Sequence, residues 1–144
     1  MKRSIAFLLV AIAATGCAPS LAEVRNQTPT RTARAANADY QTLAGCVAER
    51  LQTGESSYWT AKIGNLNYQT VTRTDEKRAM LTGSLPSRQH IPVIDLTFRQ
   101  DGADVIVESR SGGIGLSRGE RFESSLWPAV EKCAPGVVIS PPLR

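Results

Sequence analysis

The chain holds one histidine, His90, and that limits what acid–base chemistry it can perform. Any Ser–His mechanism has to run through His90, because no second imidazole exists to deprotonate a hydroxyl. His90 stands just before Ile91-Pro92 on an expected loop, no carboxylate or nucleophile partners it at a recognisable spacing, and no Gly-x-Ser-x-Gly elbow occurs. A plain surface histidine is the economical reading, and a binding contact is the functional one. Asp95, Glu108 and Glu120 offer carboxylates for a glycosidase-type pair, which the fold and not sequence distance would have to bring across a cleft. Nothing in the sequence does so, and the residue types point away from an enzyme.

Two further groups suit binding. Gly112, Gly113 and Gly115 lie ahead of an expected helix start at Ser117, where backbone N–H groups can meet an anion. The bland account is a simple connection. Tyr58-Trp59 is an aromatic pair of the sort that forms a platform for a sugar ring or a partner. Alternation with Ala61 and Ile63 puts Trp59 inward and leaves Tyr58 available.

The N-terminus carries a different kind of signal. Lys2-Arg3 precedes an apolar run of ten residues, Ile5 to Ala14, and the run closes on Ala14-Thr15-Gly16-Cys17. A membrane-spanning helix needs about 20 apolar residues, so the run is a signal core. With its cysteine exit it resembles the signal peptide of bacterial lipoproteins, although Ala14 stands where leucine is commoner. The resemblance implies cleavage before Cys17, lipidation of its sulfur and acylation of its new amino group. Because Ala18 is not the aspartate associated with inner-membrane retention, it also implies the periplasmic face of the outer membrane. The competing reading takes Ser20-Leu21-Ala22 as an ordinary cleavage site that releases a soluble protein.

Lipidation of Cys17 would leave Cys46 and Cys133 as an even pair in an oxidising compartment, and a disulfide between them is the expectation. Two buried unpaired thiols are the alternative. With the cysteines so assigned, no cluster with metal-ligand spacing remains and no cofactor is expected. Removing residues 1–16 leaves 128 residues, and of the seventeen basic residues fifteen remain against thirteen acidic. That is one domain without the basic stripe of a nucleic-acid binder.

Residues 17–38 lack either apolar period and read as a lipidated cysteine plus disordered tether, leaving 39–144 as the domain. Asp39 caps an amphipathic helix in which Tyr40, Leu43, Val47 and Leu51 recur, ending before Gly54. Strands are expected at Trp59–Ile63 and Leu66–Arg73. Residues 75–83 read as strand in preference to helix, with Thr74 to Lys77 as a hairpin loop. Residues 91–110 form a second hairpin around Asp101-Gly102, with one β face buried and the other wet. A last helix starts at a Ser117/Glu120 capping box and presents Phe122, Leu126, Val130 and Cys133 inward, with a kink expected from Pro128. Val137 to Ile139 adds a short edge strand.

The expected fold is α+β: a mostly antiparallel sheet of four to five strands flanked by an N-terminal and a C-terminal helix joined by the disulfide. The functional expectation is a non-enzymatic envelope lipoprotein that is held to the membrane through Cys17 and binds a protein or cell-wall partner. The alternative is an inhibitor or immunity protein against an exported hydrolase, acting through 84–92 or 111–116. A small-ligand or carbohydrate binder is third.

Overall fold

The computed structural model describes residues 19–53, 66–86, 91–112 and 126–141. They form an α+β fold around one antiparallel sheet in the order β2-β3-β4-β5-β1-β6. The centre of the sheet is a meander. β2 (Asn67–Arg73) turns at 74–77 into β3 (Arg78–Ser84), with Lys77 at φ 46°, and β3 pairs in turn with β4 (Pro92–Asp101). β4 and β5 (Asp104–Ser111) share a two-residue turn in which Gly102 has φ +64°, a conformation glycine takes without a Cβ penalty. Both expected hairpins are present, and 78–84 is strand.

The helix α2 (Tyr40–Gln52) starts where the sequence pattern places it. The Asp39 carboxylate accepts the Thr42 backbone N–H at 2.8 Å and its hydroxyl at 2.9 Å, satisfying donors that the first helical turn leaves unpaired. Tyr40, Leu43, Ala44, Val47, Ala48 and Leu51 are buried, a stripe of 3.6-residue period that packs on β2, β3 and β4. Residues 126–133 are helical as well, and we label them α3; Leu126, Trp127, Ala129 and Val130 are buried in the same core as α2. From the sheet this core takes Ala79, Leu81, Ile94, Leu96, Phe98, Val105 and Val107, and Phe98 and Trp127 are wholly buried. Cys46 of α2 and Cys133 of α3 form a disulfide with Cα atoms 6.0 Å apart, so the expected pairing is present.

Three expectations need correction. The sheet has six strands among the described residues, not four to five. The stretch read as tether carries two elements of the fold: α1 spans Leu21–Arg25, and β1 (Arg31–Ala35) lies inside the sheet between β5 and β6 (Val138–Ser140). β1 buries only Ala33 and Ala35, whose small side chains carry almost no hydropathy signal, and its pairing with β5 supplies what local pattern does not. Finally, the second face of β4 is not wet. Asp95 and Thr97 are buried there because α1 packs across β4 and β5.

Candidate functional site

Strand alternation sends one set of side chains into the core and the other set to the α1 side of the sheet. On β3 the second set is Arg78, Met80 and Thr82, on β4 Asp95, Thr97 and Arg99, and on β5 Glu108 and Arg110, with Thr82 directly opposite Asp95 and Thr97 opposite Glu108. α1 forms a wall over this surface. Its start is fixed by a reciprocal cap: the Ser20 hydroxyl accepts the Glu23 N–H at 3.3 Å, and the Glu23 carboxylate accepts the Ser20 N–H at 2.6 Å. The Ser20 backbone N–H and, to a lesser degree, the Ser20 hydroxyl favour the charged carboxylate and hold Glu23 below its ordinary range.

One turn later Arg25 reaches the sheet. Its Nε donates to both Asp95 oxygens at 3.2 and 3.3 Å, and its Nη2 donates to Asp95 Oδ1 at 3.1 Å and to the Thr82 hydroxyl at 3.2 Å. Thr82 in turn donates to Asp95 at 2.6 Å. The Asp95 side chain has no exposed surface, so its negative charge is compensated entirely by this cluster. A second arginine ties down the chain after α1: Arg110 donates to the Gln27 carbonyl at 3.0 Å and to Glu108 at 2.8 Å.

Between α1 and the β2–β3 hairpin, this face opens into a hollow of about 620 Å³ whose charged lining is Arg25, Arg73, Arg78, Arg99, Arg110 and Glu108. Arg25 and Arg110 are engaged as above, and Arg73 and Arg78 both pair with Glu76 on the β2–β3 turn. Arg99 is exposed and has no hydrogen-bond or ion-pair partner among the described residues. Five guanidiniums thus meet three carboxylates, Asp95, Glu76 and Glu108, and two positive charges stay uncompensated. Guanidinium does not deprotonate in a protein, so it serves poorly as a general base or acid, but its planar fork matches carboxylate and phosphate oxygens. The lining therefore has the chemistry that carboxylate or phosphate groups require.

Sequence reasoning did not find this site, because its arginines are spread over four strands and a helix and show no local cluster. Of the residues it did single out, Cys46 and Cys133 are bonded to each other, and Gly112 has a packing role. The Gly112 N–H donates to the Val93 carbonyl at 2.7 Å, and a Cβ built there would sit 2.1 Å from the Pro92 carbonyl oxygen. That N–H is therefore occupied within the sheet. Cys17, Tyr58, His90, Gly113 and Gly115 lie outside the described residues. Among the described residues no three His, Cys, Asp or Glu side chains gather into a metal-holding group, and no helix is long and apolar enough to cross a membrane.

No protein-family model matches the chain, and a search of curated proteins finds no match to it.

Proposed function

We propose that this chain is a lipid-anchored domain of the bacterial envelope that works by binding an anionic partner, without catalysis, through the arginine-lined hollow beside α1. The observation that supports this reading is the unpartnered Arg99 next to Arg73 and Arg78, which share the single carboxylate of Glu76. Charge-assisted contacts to carboxylate or phosphate are about twice as strong as neutral hydrogen bonds, and a partly desolvated hollow strengthens them further. The envelope setting rests on the lipoprotein-like signal at 1–17. Acidic protein surfaces, cell-wall peptides with free carboxylates and phosphate-bearing lipids all carry suitable groups.

A photo-crosslinking residue at position 26, an exposed position in the wall of the hollow, introduced into the full chain in its own cell envelope, tests the proposal. A discrete adduct that disappears when Arg73 and Arg78 are both changed to glutamine is the expected result. Absence of any adduct, with the protein present and its disulfide intact, would count decisively against a binding role for this face.

A further inference from the structure

Two residues, Ala18 and Pro19, separate Cys17 from the cap of α1. The three steps from Cys17 to Ser20 span about 10 Å at full extension. From Ser20 onward the chain is committed to the fold by the reciprocal cap and, at Arg25, by the pairing with Asp95. A lipid on Cys17 would therefore hold Ser20, at the start of α1, within about 10 Å of the bilayer interface, where a twenty-residue coil would allow an r.m.s. reach of roughly 25 Å. Leu21 and Ala22, the first residues of α1, are themselves wall residues of the hollow. The anchor and the two uncompensated positive charges consequently share one side of the molecule.

We infer that the anionic partner of the hollow is the phospholipid headgroup layer, so that this sheet face seats the domain on the membrane surface. The inference rests on the proposed lipidation of Cys17 and on anion binding at the hollow, and it names the partner at that site. Basic side chains near an anionic bilayer contribute attraction that falls off within a Debye length, about 8 Å at physiological salt. Arg73, Arg78 and Arg99 are placed to supply it, with Leu21 on the α1 wall of the same hollow as an apolar contact for the interface.

The test uses the mature lipidated protein, its acylation verified by intact mass, in three settings: native envelopes, vesicles of phosphatidylcholine, and vesicles of phosphatidylcholine with phosphatidylglycerol. The reaction of each arginine with phenylglyoxal is followed by mass spectrometry. The expected outcome is slow modification of Arg73 and Arg99 in envelopes and phosphatidylglycerol vesicles, and several-fold faster modification in phosphatidylcholine alone or at high salt. Arg99→Gln, at an exposed and unpartnered position, should lower the remaining protection of Arg73 about fivefold, the weight of one basic residue at an anionic surface. Protection in envelopes without protection in phosphatidylglycerol vesicles would overturn the membrane assignment while preserving a protein or cell-wall partner. Rapid modification in all three settings would overturn the binding reading too, and a Cys17 without acyl chains would remove the anchor on which the inference depends.

Discussion

Arg25 and Asp95, seventy residues apart in sequence, form the contact that holds the N-terminal helix to the middle of the sheet. Asp95 is completely buried and Arg25 is partly exposed. The relationship is therefore asymmetric: Arg25 can return to water without its partner, and Asp95 cannot.

Arg25→Gln should cost about 3 kcal/mol, because it leaves a buried carboxylate with the Thr82 hydroxyl as its remaining side-chain partner. Asp95→Asn should cost less, since an amide oxygen still accepts from Arg25 and Thr82. In urea titrations the double variant should fall well short of the sum of the two, with a coupling of about 1–3 kcal/mol. Hydrogen exchange in the Arg25 variant should accelerate at residues 20–30 before it does in β3 or β4. Additive effects would show that the pair does not hold α1.

Gly112→Ala should destabilise the fold by about 3 kcal/mol or more, since the new Cβ would press on a backbone oxygen that cannot swing aside. By contrast, Gly45 has open space around its Cβ direction and lies in α2, so Gly45→Ala should stabilise by up to about 1 kcal/mol. Thermal melts of the two variants should move in opposite directions.

Reduction of Cys46–Cys133 opens a loop of 87 residues, for which chain entropy gives an upper limit near 4.5 kcal/mol and experience suggests about 2–4 kcal/mol. Urea midpoints with and without a thiol reductant measure the difference. Identical midpoints would mean that the bridge contributes nothing.

Stability should fall at both ends of the pH range for separate reasons. The Arg34 guanidinium and the Asn37 backbone N–H favour ionised Asp104, and the Thr42 N–H does the same for Asp39, so both carboxyls lie below their ordinary value of 3.8 when folded. Their contribution is complete above that value and is lost as pH drops through the depressed folded values. Tyr68 is displaced the other way: burial penalises the phenolate and pushes its pKa to about 12 from 10.0. Folding then loses stability from about pH 10 upward, because the unfolded chain ionises first. Arg34→Ala should flatten the acid-side dependence and lower stability throughout the range above the depressed Asp104 value, as urea midpoints across pH would show, and Tyr68→Phe should reduce the alkaline loss and leave the acid side alone.

What could be read from the sequence followed strong local periodicity or turn chemistry. α2, both hairpins and the β6 edge could be read because Asp39, the Tyr40–Leu51 stripe, the β4 alternation and Asp101-Gly102 each signal within a few residues. The Cys46–Cys133 pairing followed from cysteine count once Cys17 was set aside. β1 left no such trace, since Thr32, Ala33, Arg34 and Ala35 alternate only weakly and depend on β5 and β6 for their hydrogen bonds. α1 did carry one: Ser20-Leu21-Ala22-Glu23 is a capping-box spacing, obscured by its likeness to a cleavage site. The hollow was invisible because its members, from Arg25 to Arg110, meet only after the sheet has formed.

The position of β1 also dictates an order of assembly. Its ladder partners begin at Val105 and Val138, so a chain that emerges N-terminus first carries β1 with no strand to join until more than two thirds of the sequence has been made. β2 to β5 need only neighbouring hairpins and can assemble as a local meander. β1 then enters the completed edge at β5, and β6 closes over it. The first strand made is thus among the last to find its place, and until it does the β5 edge is exposed to any extended strand from another chain.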